Sequence, residues 1–237
     1  MFSAAAKNSL ARCVDHLLPA SCVFCGEVVA SGYVCRGCYD DLPWIVHACE
    51  RCGTPLVAAL PAGIFCGVCQ QRPPPFELTQ APLHYEFPID TAIKALKFRR
   101  QVTLAPALAS LVEKQVFHRS NDFDALVPVP LYRWRQAIRG FNQAQELARY
   151  FHRSSGLPIL HCVKRVRRTE PQSGLDAARR RHNMKGAFSV TAPLQCNHAL
   201  IVDDVMTTGE TCRSLAATLL AAGVKRVSVL TIARASS

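Results

Sequence analysis

Four C-x-x-C pairs lie in the first third of the chain, and they restrict its fold more than any other feature. Eight of the twelve cysteines belong to these pairs, which are Cys22/Cys25, Cys35/Cys38, Cys49/Cys52 and Cys66/Cys69. Each pair places two thiolates on one side of a tight turn, and two pairs supply the four sulfur ligands that tetrahedral zinc prefers. The spacing predicts two zinc sites, made by the first two and the last two pairs, with an interleaved pairing as the alternative.

The predicted zinc sites are structural, since four thiolates leave no open coordination position. A thioredoxin-type redox role is disfavoured because four pairs exceed what that chemistry needs. Disulfides are disfavoured as well, because the first residues lack the continuous apolar segment of a signal peptide. The longest apolar stretches, such as residues 215–224, are about half of a membrane span. We therefore predict a cytoplasmic protein without a membrane-inserted segment.

A run of three prolines, Pro73-Pro74-Pro75, predicts a stiff connector and divides the chain into residues 1–75 and 76–237. Beyond it, apolar strand patterns alternate with helical ones. Because several strands, such as residues 199–202, are continuously apolar, the pattern predicts an α/β fold with a parallel sheet and helices on both faces. In such folds, ligands bind at the carboxyl ends of the strands.

The positive charge of the chain is concentrated in one window. The net charge is +11, and residues 133–185 alone hold thirteen Lys and Arg against three Asp and Glu. Such a block favours a polyanionic partner, either pyrophosphate or nucleic acid. The alternative is a solvated surface helix rich in arginine.

One segment has the physical order of a phosphate site. The buried strand ending at Val202 is followed by Asp203 and Asp204, and then by a loop of small polar residues, Thr207, Thr208, Gly209, Glu210 and Thr211. Hydroxyls and backbone N–H groups at a helix N-terminus form a cradle for phosphate. The two carboxylates are suited to accept hydrogen bonds from ribose hydroxyls and to orient Mg²⁺.

This segment resembles the signature of type I phosphoribosyltransferases for 5-phosphoribosyl-1-pyrophosphate (PRPP). The resemblance implies that Asp203 and Asp204 are catalytic and that PRPP, with Mg²⁺, is held by a larger set: Val202, Asp203, Asp204, Thr207, Thr208, Gly209, Glu210 and Thr211.

The whole chain resembles the competence protein F (ComF/GntX) family, in which a double zinc ribbon precedes a phosphoribosyltransferase-like domain. Besides the cysteines, the resemblance depends on these segments: Leu18-Pro19, Pro73–Phe76, Ile93–Phe98, Val127–Pro130, Arg139–Gln143, Thr169–Gln172, Arg180–Asn183 and the Asp203-Asp204 loop. It implies that the turn after Val127–Pro130 is the pyrophosphate loop and that residues 169–183 form a mobile loop over the substrate. The candidate phosphate contacts are Lys97, Arg133, Arg135, Arg139 and Arg180.

Three functions follow from the resemblance and the charge. The first is a phosphoribosyltransferase whose acceptor is unidentified, acting in competence and DNA utilisation. The second is a single-stranded-DNA-binding accessory protein of the DNA-uptake machinery, with a regulatory or vestigial PRPP site. Aromatic residues among the arginines favour it, because bases stack on aromatic rings; they are Tyr132, Trp134, Phe141, Tyr150 and Phe151. The third is a PRPP sensor without turnover.

Overall fold

The computed structural model describes residues 20–117, 122–167 and 186–235. The chain forms two compact units that divide between Leu42 and Pro43. The second cysteine cluster therefore belongs to the same unit as the sheet. The boundary after residue 75 stays a prediction about the sequence modules.

The described part of the first unit begins at residue 20 and consists mainly of turns and bends. Ser21 and Val28 form an antiparallel bridge, and the single helix of its described part, α1, spans Arg36–Asp40. The Cys35 sulfur accepts a hydrogen bond from the backbone N–H of Cys38 and so caps this helix.

The second unit contains the sheet. Its strands are β1 (Leu78–Gln80), β2 (Leu83–His84), β3 (Ala125–Pro128), β4 (Val163–Arg165), β5 (Phe188–Val190), β6 (His198–Met206) and β7 (Arg226–Arg234). The order is β1-β7-β6-β3, with β2 also paired to β7, and all of these pairs are parallel. β4 and β5 form a separate antiparallel pair. The predicted parallel α/β fold is confirmed.

The helices of this unit are α2 (Gly67–Gln71), α3 (Ile89–Arg99), α4 (Leu104–Phe117), α5 (Arg133–Arg139), α6 (Gln143–Ser155) and α7 (Glu210–Ala221). The side chains of residues 199–202 are all 0% exposed. Because successive side chains on a strand point to opposite faces, both faces of β6 are covered. On one face, Leu215 and Leu219 of α7 share a hydrophobic cluster with Ile201.

Three local features differ from the sequence expectation. β6 continues to Met206, so Asp203 and Asp204 lie within the strand rather than after it. The segment after Pro130, where the resemblance implied a loop, contains the two-turn helix α5. Residues 159–163 have one of the apolar strand patterns of the sequence, but they form a parallel bridge between Ile159 and Leu126, and strand β4 begins only at Val163. Within the described ranges, no helix is long and apolar enough to cross a membrane.

Candidate functional site

A cavity of about 250 Å³ opens at the carboxyl ends of β3 and β6, beside the start of α7. The parallel sheet places these strand ends side by side, as predicted for a ligand site. The chemistry-bearing residues in its lining are Tyr85, Lys97, Arg135, Gln143, Arg165, Asp203, Asp204, Thr207, Gly209, Glu210 and Thr211. The cavity thus brings both predicted carboxylates, most of the predicted loop and several cations to one place.

An ion pair anchors the acidic end of the cavity. Nζ of Lys97 lies 2.9 Å from Oδ2 of Asp204, and the Asp204 side chain is 4% exposed. Burial opposes the charge on Lys97, but the attraction of Asp204 outweighs it and raises the pKa of Lys97. Lys97, implied by the resemblance as a phosphate contact, is therefore paired with a carboxylate in this structure.

The negative charge of Asp203 is less well compensated by nearby cations than that of Asp204. Burial and repulsion by Asp204 raise its pKa to about 7, against the opposing effect of Lys97. One of its oxygens accepts a hydrogen bond from the backbone N–H of Asp204 at 2.9 Å. A cation, or hydroxyl donors from a ligand, would stabilise the ionised form of this carboxylate.

The loop between β6 and α7 is shaped by Gly209, which has a φ of 77° and precedes the first residue of the helix. A side chain is unfavourable in that conformation. The hydroxyl of Thr208 is buried and has no hydrogen-bond partner among the described residues. Since buried polar groups are normally paired, this hydroxyl is a candidate for a bond to a ligand oxygen.

The predicted basic residues separate into distinct groups. Arg135 lines the cavity, together with Arg165, which the sequence had not singled out. Burial lowers the pKa of Arg165, and Arg135 adds to this effect while Asp203 opposes it. The mutual repulsion of the two guanidinium groups would be relieved by an anion bound between them.

The other predicted contacts do not line this cavity. Arg133 lines an adjacent cavity of about 730 Å³. The Arg139 guanidinium donates to Gln143 at 2.6 Å and lies 5.5 Å from the ring centre of Phe98. Val202 is fully buried in the sheet. Arg180 and the implied mobile loop, residues 169–183, lie outside the described residues.

Sequence reasoning missed Arg165, Gln143 and Tyr85. Arg165 lies in the basic window, but its neighbours in the chain gave no sign that β4 would bring it to the ends of the parallel strands. Gln143 ends one of the segments that carry the family resemblance, Arg139–Gln143, and that segment was the signal that could have found it. Tyr85 is a single residue of no distinctive pattern, and no motif pointed to it.

Two four-cysteine clusters form as predicted, one from Cys22, Cys25, Cys35 and Cys38 and one from Cys49, Cys52, Cys66 and Cys69. Within each cluster, the sulfur atoms lie within 4.8 Å of one another. The Cys25–Cys35 and Cys52–Cys66 sulfur separations are 3.7 and 3.6 Å. Tetrahedral zinc with four thiolates requires about 3.8 Å between sulfurs. The clusters therefore suit two structural zinc ions, and the interleaved pairing is not formed.

Two of the cysteine thiols have lowered pKa values and therefore lose their protons more readily. Burial opposes the charge on Cys22 and Cys49, but backbone hydrogen bonds outweigh it and lower the pKa values to about 6 and about 7. Because zinc binds thiolates, these hydrogen bonds favour the metal-bound form.

Comparison with known proteins agrees with this architecture. The double zinc ribbon domain family matches residues 13–70. DNA utilization protein YhgH of Escherichia coli O157:H7 is 34% identical over 230 residues, which cover 92% of this chain and 98% of the relative. YhgH of Salmonella typhimurium is 34% identical over 233 residues, with the same coverage. Competence protein F of Haemophilus influenzae is 33% identical over 225 residues, covering 90% of this chain and 96% of that protein.

These relatives match along almost the whole of both chains, and the zinc-ribbon match coincides with the two cysteine clusters. The chain belongs to the family of DNA utilization protein YhgH and competence protein F, with a double zinc ribbon before its α/β sheet.

Proposed function

We propose that the cavity at the ends of β3 and β6 binds PRPP with Mg²⁺, and that the protein is a phosphoribosyltransferase-like member of the DNA-utilisation family. The observation that carries the proposal is the convergence of two carboxylates, a glycine-containing loop at a helix start, and two arginines on one cavity. These groups match the three chemical parts of PRPP: ribose hydroxyls, 5-phosphate and pyrophosphate.

The carboxylates are the proposed ribose contacts. Asp203 and Asp204 can each accept hydrogen bonds from sugar hydroxyls. The raised pKa of Asp203 supports this role, since ligand donors or a cation would offset its unfavourable charge. Mg²⁺ prefers carboxylate and phosphate oxygens, and Asp203 is its proposed protein ligand because Asp204 is already paired with Lys97.

The loop is the proposed 5-phosphate site. Thr207, Gly209 and Thr211 line the cavity where α7 begins. The unsatisfied N–H groups of a helix start favour an anion, and Gly209 lets the backbone approach it. Thr208 belongs to the same loop but does not line the cavity, and its buried hydroxyl has no partner among the described residues.

The arginines are the proposed pyrophosphate contacts. Arg135 and Arg165 line the cavity beside the carboxylates. In the proposed transfer, pyrophosphate leaves C1 of the ribose, positive charge develops on the sugar, and an acceptor attacks C1. Guanidinium groups held in place before the reaction stabilise the charge on the leaving group.

A calorimetric titration with PRPP, with and without Mg²⁺, tests the binding. The double variant Asp203→Asn/Asp204→Asn should lose binding and keep its zinc. The matched control is Asp40→Asn/Asp41→Asn, an exposed pair of neighbouring carboxylates outside the cavity. Wild-type protein that binds no PRPP would refute the proposal. Loss of zinc together with PRPP would mean that the acids hold the fold instead.

A turnover assay distinguishes a phosphoribosyltransferase from a PRPP sensor without turnover. Release of pyrophosphate from PRPP would be measured with a panel of bases and amines as acceptors. Release with any of them supports a phosphoribosyltransferase. Tight binding without release would favour the sensor.

A second candidate function, binding of single-stranded DNA, is favoured by the surface beside the site. The adjacent cavity of about 730 Å³ is lined by Arg133, His161, Lys164 and Arg165. On α5, Trp134 is 53% exposed. Cations for the backbone and an exposed ring for stacking are the features of single-strand binding surfaces. The relatives' name, DNA utilization protein, agrees with this partner.

The structure leaves fewer of the five aromatic residues that favoured this function available for stacking on bases. Phe151 is 0% exposed and belongs to the core, whereas Trp134 is exposed. The Tyr150 hydroxyl donates to Glu113 at 2.9 Å.

Fluorescence anisotropy of a labelled oligonucleotide at increasing salt tests this function. Trp134→Ala and Arg133→Ala should each weaken binding, and Arg133→Ala should reduce the salt slope by about 0.7 per lost phosphate contact. Arg153→Ala removes the same charge from an exposed position of α6 and is the matched control. Absence of binding at low salt would exclude the function.

A further inference from the structure

Arg234, the last residue of β7, lies between the second cysteine cluster and the start of the Thr207–Thr211 loop. The residue as a whole is 5% exposed. On the loop side, Nη1 donates to the carbonyl oxygens of Met206 at 3.1 Å, Ala235 at 2.8 Å and Thr207. On the cluster side, Nε donates to the Cys52 carbonyl at 3.3 Å, and Nη2 donates to the Thr54 hydroxyl at 3.1 Å.

Thr54 extends this network to a sulfur atom. Its Oγ1 lies 3.1 Å from Sγ of Cys52. When Cys52 is a thiolate, as a zinc ligand must be, the hydroxyl donates to the sulfur and accepts from Arg234. A continuous chain of hydrogen bonds then connects the Cys52 sulfur, through Thr54 and Arg234, to the carbonyl of Thr207.

The cysteine knuckle in this network is attached to the sheet. The carbonyl of Glu50 accepts a hydrogen bond from the backbone N–H of Thr79, and the carbonyl of Arg51 accepts one from the Thr79 hydroxyl, both at 2.8 Å. Thr79 belongs to β1, which pairs with β7. The knuckle, β1 and β7 are therefore joined by backbone contacts, and a change at the knuckle acts on the strand that carries Arg234.

We propose that Arg234 is a positioning residue that couples the second cysteine cluster to the Thr207–Thr211 loop, so that metal in this cluster strengthens binding of the phosphorylated ribose. The inference rests on the proposed function of the loop.

The physical reason for this coupling is that the guanidinium group of Arg234 is charged, buried and carries several hydrogen-bond donors. The oxygens that accept from Arg234 are carbonyls and a hydroxyl, which carry no net charge. A filled four-thiolate zinc site has a net charge of about −2 and is the nearby compensating group. If the metal is lost and Cys52 shifts, the guanidinium loses partners on that side. Because unpaired buried donors are unfavourable, it must move, and the carbonyls of Met206 and Thr207 move with it.

Coupling of this kind is reciprocal. If metal in the second cluster raises the affinity for PRPP by a given factor, bound PRPP raises the affinity for the metal by the same factor. Two independent readouts are therefore available: the PRPP dissociation constant, and the rate at which zinc passes to a chromogenic chelator.

The test compares zinc-loaded full-length variants. Arg234→Gln should weaken PRPP binding about tenfold, within the range of about 5–150-fold that is typical of coupled sites. It should also speed zinc release from one of the two sites, because groups that hydrogen-bond to a metal ligand typically contribute about 10–100-fold to metal affinity. Thr54→Val should act in the same direction with a smaller effect. Arg226→Gln is the matched control, because Arg226 lies on the same strand but is exposed and paired with Glu77 and Asp122. It should leave both readouts unchanged.

The site that releases zinc is identified with Cys66→Ser and Cys25→Ser. Cys66→Ser, in the second cluster, should weaken PRPP binding as Arg234→Gln does, whereas Cys25→Ser, in the first cluster, should not. Saturating PRPP should slow zinc release from the second cluster of the wild-type protein.

The two proposals fail in different ways. Wild-type protein that binds no PRPP refutes the proposed function and the coupling with it, whereas wild-type protein that binds PRPP leaves the coupling to be decided by the variants. Wild-type PRPP affinity and zinc release in Arg234→Gln would overturn the coupling. If that variant fails to fold, as judged by its melting curve, Arg234→Lys and Thr54→Val replace it, and unchanged values in both would overturn the coupling equally.

Discussion

Lys97 on α3 and Asp204 on β6 form an ion pair at 2.9 Å inside the candidate site. The pair connects a helix at the edge of the cavity to the strand beneath it. It also divides the roles of the two neighbouring acids, because among the described residues Asp204 forms an ion pair and Asp203 does not. The sequence offers no reason to distinguish the two acids, whereas in the folded protein it is Asp204 that pairs with Lys97.

Removing the cation of this pair should destabilise the protein. In Lys97→Met, Asp204 would remain buried without its partner, and we expect a loss of about 3 kcal/mol in the free energy of unfolding. Lys97→Arg keeps the charge and should lose less. Urea denaturation measures both. Equal stability of Lys97→Met and wild type would show that Asp204 is uncharged or solvated in the folded protein.

Asp203 should lower stability at neutral pH. Its folded-state pKa of about 7 lies above its ordinary value of 3.8, so the folded protein holds more protons between these values. Stability therefore falls as the pH rises through this window, and the loss is complete above pH 7. Without ligand, Asp203→Asn should melt above wild type at pH 8, by about 2–4 °C for each kcal/mol recovered, and the difference should shrink towards pH 4.

Asp122→Asn provides the control of opposite sign. The hydrogen bond from Arg226 lowers the pKa of Asp122. Its contribution to stability is therefore present above its ordinary pKa and lost as the pH falls, and the variant should not gain stability at pH 8. A pH-independent melting difference for Asp203→Asn would contradict a raised pKa at that site.

The two cysteine clusters should each hold one zinc ion. Cys49→Ser and Cys38→Ser should each lose one of two zinc equivalents per chain, measured by elemental analysis. Cys49→Ser should also lower the melting temperature of the unit that contains the sheet, because its cluster lies in that unit. Zinc retained at two equivalents in either variant would mean that the cluster does not require all four sulfurs.

Gly53 should tolerate substitution less well than Gly26. Both have positive φ, 67° and 79°, so alanine is strained at either position. At Gly53, a Cβ would lie 2.9 Å from Cγ2 of Thr79, whereas nothing lies within 4 Å at Gly26. Gly26→Ala should cost about 1–2 kcal/mol. Gly53→Ala should cost more and should accelerate zinc release from the second cluster. Equal effects would mean that the knuckle does not pack tightly on β1.

Much of the fold was predictable because its signals are local. The apolar run over residues 199–202 became part of β6, an inner strand of the sheet. The cysteine pairs assembled in chain order, because each turn already brings two sulfurs together and the nearest second turn completes the set.

The basic contacts were harder to predict, because a run of arginines has no period that distinguishes a ligand contact from a solvated one. Arg135 lines the cavity and Arg139 stacks on Phe98, although both lie on α5. Arg165 was missed because its position depends on the pairing of β4 with β5, which joins segments distant in the sequence.

By itself, the amino-acid sequence determined the two four-cysteine clusters, the parallel sheet and the placement of Asp203 and Asp204 towards the carboxyl end of a buried strand, because these follow from residue spacing over short segments of chain. Only the tertiary structure decided which cations meet which acids. Lys97 reached Asp204, and Arg234 reached both Cys52 and Thr207. Such contacts arise when β6 and β7 pair and bring distant segments together, since burial then requires each charged or donor group to find a partner within the packed unit.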